Sequence, residues 1–402
     1  MDNEPGKAIP GLARGIRELL GEAADVAALC MRCGFCNAAC PTSAVPSAYL
    51  ESRTSRGRAI LFRDLLLGAP PEDPMSDEVA ADMEYCMACG RCMTACPLEV
   101  PIPLLVGAYR ELRARASPRE AADALLRRYA VLDRLAGEIP HLYNAASKAI
   151  RGPLARALGF REDLELPRAS PRRPELRSWD DGDVVLLVDT FTWAHEPEAP
   201  EAVWRLLTAM GLRPRVVGPI DHGMVLLDLG YISDLREEGS RLVREISRIS
   251  GGRPVVAVSP AWYYMSRRIY PLLIGGEARE LAEMVIDVYS LIGSRCAGSG
   301  GQGGTVIYHE SCLAKANSQS PRIVGALRAA GYSVETLRSC CGMGGTWGLR
   351  RRAAGPSDEL VEAFLREAGE LRVGPGSVVA SESEACRFQL RRLLRGAEVV
   401  HP

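Results

Sequence analysis

The sequence predicts an α+β protein in which a helical N-terminal domain, organised by cysteines, precedes a duplicated α/β domain. Three observations carry that prediction. Eight of the thirteen cysteines fall into two copies of one pattern, Cys30-x2-Cys33-x2-Cys36-x3-Cys40-Pro41 and Cys86-x2-Cys89-x2-Cys92-x3-Cys96-Pro97. Around these runs the apolar residues recur at helical spacing, whereas from Val184 onward short apolar runs alternate with helical stretches in a β-α-β rhythm. That later region also repeats itself, at an offset of 120 and then 124 residues.

The N-terminal domain, residues 1–105, is read from its cysteines. Residues 12–29 and 58–67 are spaced as helices that frame the first run. Three cysteines three residues apart can wrap three corners of a [4Fe-4S] cubane, and in two-cluster ferredoxins the fourth cysteine crosses to the other cluster while the following proline turns the chain away. The expected ligand sets are therefore Cys30, Cys33, Cys36 and Cys96 for one cluster, and Cys86, Cys89, Cys92 and Cys40 for the other. Gly34 and Gly90 suit chain folded tightly around a cluster. Cys-x2-Cys is also zinc spacing, but a zinc ribbon leaves the third and fourth cysteines of each run surplus. Disulfides are disfavoured, because MDNEPGKAIPG lacks a signal peptide's apolar core and a cytoplasmic chain stays reduced.

Length and charge set outer bounds. A chain of 402 residues holds two to four domains, and a net charge of -1 gives no case for nucleic acid. Arginines cluster locally (Arg110, Arg113 and Arg115; Arg127 and Arg128; Arg350 to Arg352), and such runs read as solvated helix faces, with a partner or anionic surface as the alternative. No apolar stretch approaches the roughly 20 residues that span a bilayer. Residues 106–178 read as a helical region and linker. Ser117-Pro118-Arg119-Glu120 has the form of a capping box opening a helix that stops near Gly137 and Pro140, and the Pro/Arg-rich 151–178 reads as a linker.

Strands are expected at the apolar runs 184–188, 255–258, 305–308 and 377–380. Ala209-Met210-Gly211 matches Ala329-Ala330-Gly331, Gly218 matches Gly342, and Ser259-Pro260-Ala261-Trp262 matches Ser383-Glu384-Ala385-Cys386. The repeats are residues 179–292 and 305–402, joined by a Gly-rich linker, 293–304, whose Cys296 reads as a bystander. The second repeat carries a further set of soft ligands: Cys312, Cys340, Cys341 and Cys386. Four such ligands suffice for a cluster and suit iron better than an apo cysteine cluster. In the first repeat Thr192, Val216, Val217, Ser259 and Trp262 stand at the corresponding positions, so it keeps no ligand set. Trp262, Tyr263 and Tyr264 read as core, with a partner surface as the alternative.

Cys312, then Cys340-Cys341-Gly342, then Cys386, following two ferredoxin-type runs, resembles the cysteine-rich CCG domain proteins. That group includes the B-type and D-type proteins of heterodisulfide reductase and the iron-sulfur subunits of glycolate oxidase and of anaerobic glycerol-3-phosphate dehydrogenase. Cys33-Gly34-Phe35-Cys36, Ser55-Arg56-Gly57-Arg58 and the stretch from Cys340 to Gly348 are further points of likeness. Two departures stand out: the group's last motif is Cys-x2-Cys, but Ser383 holds its first position here, and Leu313 replaces a histidine that follows the first cysteine. The resemblance implies a third iron-sulfur cluster at the four cysteines, with His309 and Glu310 either tuning it or capping the fold.

No Gly-x-Gly-x2-Gly follows a strand and no flavin site, triad or paired-carboxylate site stands out, so the catalytic residues are unknown from sequence. A chain with clusters in series and no organic cofactor site reads as an electron conduit. The resemblance implies an FAD-containing dehydrogenase partner acting on glycolate, lactate or glycerol 3-phosphate, and a quinone or membrane-bound acceptor. Attachment to the inner face of the membrane would then come through a partner. The alternative it implies is a heterodisulfide-reductase-like protein reducing a disulfide at the CCG cluster.

Overall fold

The computed structural model describes residues 5–70, 73–292 and 303–402; residues 293–302 of the expected Gly-rich join, Cys296 included, lie outside them. The helices Pro5–Leu20, Ser55–Leu66 and Ile102–Ala116 pack together around the two cysteine runs. The last of these is apolar over most of its circumference, and residues 102–110 are all buried. An all-round apolar helix needs partners on every side. It finds them in Ile16 and Phe62 of the N-terminal helices and in Leu227 and Ile232 of the following α/β region, so one continuous core joins the two.

Two parallel sheets follow. Strands β1 (Val184–Asp189), β2 (Pro214–Ile220), β3 (Val255–Ala257) and β4 (Val285–Asp287) lie in the order β2-β1-β3-β4. Strands β5 (Thr305–His309), β6 (Ser333–Leu337), β7 (Val378–Ala380) and β8 (Glu398–Val400) lie in the order β6-β5-β7-β8. The two units therefore share one winding, as the offset repeat led one to expect. The central strands are the continuous apolar runs; β2, β4, β6 and β8 escaped the sequence reading because they are short or partly exposed and break the apolar pattern.

Several expectations change. Ser117 caps the end of Ile102–Ala116 instead of opening a helix, and Glu120 is the N-cap of the next helix, Ala121–Arg127. The region then breaks into Tyr129–Glu138, Pro140–Ser147 and Gly152–Leu158, with Pro140 starting a helix where it was expected to end one. The supposed linker is partly helical and docked: Phe160 and Leu164 are buried, and Phe160 bridges to Arg350. The arginine reading holds for Arg115, Arg127 and Arg128 but fails for Arg110 and Arg350, which are buried. Arg350 makes paired hydrogen bonds of 2.8 and 2.9 Å to Asp228, and Arg110 donates to the carbonyls of Asp228, Met83 and Cys86. Trp262 and Tyr264 are fully buried, as core.

Candidate metal centres

Each cysteine run is shaped by the same backbone device. Arg32 (φ 58°) and Gly34 (φ 88°) bracket Cys33, as Ala88 (φ 55°) and Gly90 (φ 76°) bracket Cys89. Left-handed residues alternating along the chain curl the backbone so that side chains and N–H groups converge on one side. Gly90 is required twice over, since a Cβ there would lie 2.3 Å from the hydroxyl of Tyr264. The glycines were legible in sequence; the left-handed Arg32 and Ala88 were not, because neither residue type advertises that conformation.

Cys30, Cys33, Cys36 and Cys96 line a single small cavity with Gly34 and Arg56. Cys96 reaches it from the second run, the crossing expected from its spacing. Cys33 is exposed, and Leu29, Met31 and Phe35 beside it are each more than 60% exposed, so this centre sits at the surface.

Cys40, Cys86, Cys89 and Cys92 form the second group, deep in the molecule. Arg58, 1% exposed, reaches the Cys40 sulfur at 3.5 Å and faces Cys86, Cys92 and Cys89 as well. It has no carboxylate partner among the described residues. Burial alone would raise the Cys40 thiol, but the Arg58 charge draws it below its ordinary value. Cys92 is pushed up by burial and by its cysteine neighbours. The hydroxyl of Tyr264 is buried beside Cys92, Cys89 and Cys86 without a hydrogen-bond partner among the described residues. A buried guanidinium and a buried phenol, both uncompensated, suit an anionic thiolate-bound group. The chemistry of this donor set thus fits a [4Fe-4S] cluster.

The third group gathers just beyond the carboxyl ends of three strands. Cys312 follows β5, Cys340 and Cys341 follow β6, and Cys386 follows β7, at the point where the winding reverses. Ser311 caps the helix Cys312–Ala316 by accepting from the N–H of Ala314 at 3.0 Å, and this fixes Cys312. The sulfurs of Cys312 and Cys340 are 3.5 Å apart, as are those of Cys341 and Cys386. His309 joins Cys341 and Cys386, with ligand atoms within 4.8 Å of one another.

The hydrogen bonds divide these thiols. The hydrogen bond between Cys312 and Cys340 pulls Cys312 well down, and Arg91 and Lys315 act in the same direction; Cys341 donates to Cys386, which falls to about 5 with further help from His309. Cys340 and Cys341 are pushed up in exchange. Burial opposes a charge on His309, but the Cys386 sulfur beside it carries its pKa above the ordinary value. His309 stands beside the cysteine site and also ties strand ends together, its ring nitrogens lying 3.3 Å from the Ser381 hydroxyl and 3.2 Å from the Ser339 carbonyl, whereas Glu310 pairs with Lys315 at 3.4 Å. Ser383 sits on the wall of the same cavity as Cys341 and Cys386.

Cys89 links the second and third groups. It packs against the same cluster as Cys312 and borders the cavity that Cys312 and Cys340 line. Cys36 stands close enough to Cys92 to influence it, so the three groups run in series from the exposed first to the buried third. In the first α/β unit the position of Cys312 is held by Thr192, whose hydroxyl donates to Asp189 at 2.7 Å, and no cysteine is present.

Comparison with known proteins follows the same division. Residues 26–100 match the 4Fe-4S dicluster domain and residues 306–391 match the cysteine-rich CCG domain. The chain carries both, and the first accounts for two [4Fe-4S] clusters. It is 23% identical over 357 residues to D-2-hydroxyglutarate dehydrogenase of Escherichia coli (strain K12), covering 82% of this chain and 34% of that protein. It is 23% identical over 354 residues to the glycolate oxidase iron-sulfur subunit of the same organism, covering 82% of each chain. A probable glycolate oxidase iron-sulfur subunit of Bacillus subtilis (strain 168) is 29% identical over 101 residues, 25% of this chain and 22% of that one. The chain thus spans about a third of the length of the D-2-hydroxyglutarate dehydrogenases it matches. No solved structure matches it significantly.

Proposed function

We propose that this chain is an iron-sulfur electron-transfer subunit serving an FAD-dependent dehydrogenase of a 2-hydroxy acid. The observation that carries this reading is the serial arrangement: an exposed cysteine group, a buried one, and a third whose cavity Cys89 of the second also lines. The bound clusters would supply one-electron chemistry. We assign Cys30, Cys33, Cys36 and Cys96 to the first site, Cys40, Cys86, Cys89 and Cys92 to the second, and Cys312, Cys340, Cys341 and Cys386 to the third. Residues 179–292 are read as a degenerate copy of the cysteine-rich domain that has kept the winding and lost the ligands.

The protein's own residues perform the supporting work. Leu29, Met31 and Phe35 offer an apolar rim around Cys33 on which a partner flavoprotein can seat. Arg58 and Tyr264 compensate charge at the second site, and Arg91, Lys315 and His309 do so at the third. The names of the similar proteins support a glycolate- or 2-hydroxyglutarate-type substrate on the partner.

Anaerobically purified protein is expected to hold about eight irons from the dicluster domain and about four more at the third site. Mixing it with the candidate flavoprotein and a 2-hydroxy acid should bleach its visible absorbance and develop reduced-cluster EPR signals. Stoichiometric zinc without iron, or no bleaching with any 2-hydroxy acid or glycerol 3-phosphate, would overturn the proposal.

A further inference from the structure

The third cysteine group gathers ligand atoms more tightly than either ferredoxin-type site. One ring nitrogen of His309 and the sulfurs of Cys341 and Cys386 all lie within 4.8 Å of one another, and among the described histidines, cysteines and acids no other three do so. Ligands about 2.0–2.3 Å from a single ion come within roughly 3–4 Å of each other, so this trio is close to the spacing that one metal ion imposes. A cubane takes one protein ligand per iron and holds its cysteines further apart. With Cys312 and Cys340 paired at 3.5 Å, the site divides into a half with two ligands and a half with three.

His309 has the surroundings of a ligand. It ends β5, is 1% exposed, and meets the ring of Phe364 edge-on, with centroids 5.6 Å apart and planes at 74°. That contact fixes the plane of the imidazole. A histidine that gives one nitrogen's lone pair to a metal keeps a proton on the other, and that N–H is almost always donated to a carboxylate, a backbone carbonyl or water. His309 has such an acceptor, since its Nε2 lies 3.2 Å from the carbonyl of Ser339. A carbonyl only accepts, so Nε2 carries the hydrogen and Nδ1 keeps the lone pair. The Ser381 hydroxyl, 3.3 Å from Nδ1, holds that nitrogen only loosely.

The same half of the site is one thiolate short of the Cys-x2-Cys pattern. Ser383, 4% exposed, stands at the missing position and borders the same cavity as His309, Cys341 and Cys386. A neutral hydroxyl is a poor ligand for iron beside thiolates, whereas imidazole is a good one. Imidazole is also neutral where a thiolate is an anion, so the exchange favours the reduced metal, as histidine ligands do when they replace cysteines in Rieske centres.

We propose that His309 is a metal ligand of the third site, filling the place that Ser383 leaves short, and that its imidazole gives this site the highest potential of the three. The inference rests on the electron-transfer reading above and adds a direction to it. Each transfer oxidises the second site by one electron and reduces the third by one, with no bond or proton exchanged. Electrons released by hydroxy-acid oxidation on the partner then run inward from the exposed site and collect at the third.

The test uses anaerobically purified holoprotein poised at a series of potentials. Pulsed EPR of the third site should show a strongly coupled nitrogen, and growth on histidine labelled with heavy nitrogen should alter that coupling. The first two sites should show no such coupling. His309→Cys supplies a thiolate in place of the imidazole, so it should keep the iron of the third site, lose the nitrogen coupling and lower the midpoint potential there. His309→Asn keeps a hydrogen-bonding side chain but is a poor ligand for iron; it should lose third-site iron, and adding Ser383→Cys should restore it. Unchanged EPR signals from the first two sites report that the variants fold, and the labelled wild type needs no variant. A third-site signal without nitrogen coupling, or a coupling that survives His309→Cys, would overturn the inference. So would full iron and an unchanged potential in His309→Asn, since His309 would then only tie strand ends. Zinc at the third site, or a wild-type third site more negative than the second, overturns it as well. Bleaching by partner and hydroxy acid, measured on the same preparation, keeps the two proposals apart: bleaching together with any of these results overturns this one alone, and a nitrogen-coupled third site without bleaching overturns the electron-transfer reading.

Discussion

Tyr264 belongs to a unit that has no cysteine ligands, yet its hydroxyl is buried against Cys86, Cys89 and Cys92 and has no partner among the described residues. Replacing it with phenylalanine removes one O–H and keeps the ring that packs over Gly90, so the fold is retained. A donor aimed at thiolate-bound iron favours the more negative, reduced state. With a difference of ~1 kcal/mol between oxidation states and about 59 mV per tenfold for one electron, the midpoint potential of the second centre should fall by about 40 mV. EPR-monitored redox titration of Tyr264→Phe against the wild type measures this. Tyr263→Phe, half-buried one residue away, is the control. An unchanged potential in Tyr264→Phe, or an equal shift in Tyr263→Phe, would refute the idea that this hydroxyl compensates the second centre.

Two other expectations can be checked alongside. Cys96→Ser should remove the EPR signal of the exposed centre and Cys40→Ser that of the buried one; loss of the centre nearer in sequence in each case would refute the crossed assignment. Glu84 is held down to about 2: burial opposes its charge, but Arg110, Arg352 and Arg350 outweigh it. Its folded pKa lies below the unfolded value, so its stabilisation is complete above about pH 4.5 and is lost as pH falls toward 2. Glu84→Gln removes one of the acids these arginines share, leaving them Asp228 and Asp123, and should cost at most roughly 3 kcal/mol, by a thermal-unfolding difference that stays constant between roughly pH 6 and 8.

The sequence by itself determined what is local or periodic. Cysteine spacing determined the two runs, and with them the crossing of Cys96 that the shared cavity is consistent with. Continuous apolar runs determined the central strands, and matched offsets determined that the two α/β units share one winding. The capping box at Ser117 failed because Ser117 closes the preceding helix, its N–H donating to the Arg113 carbonyl and its hydroxyl accepting from the Arg113 guanidinium, while Glu120 turns to Arg351; a four-residue pattern cannot tell an end from a beginning.

Tertiary structure alone decided what depends on partners remote in sequence. Arg110 and Arg350 read as surface because their acids, Glu84 and Asp228, lie far away along the chain. The link from Cys89 to Cys312 spans more than two hundred residues, and no spacing rule covers it. The same holds for Tyr264 and for the trio of His309, Cys341 and Cys386. Ligand geometry is written in neighbouring residues, whereas the charge, hydrogen bonding and access around those ligands come from side chains that meet only when separate elements pack.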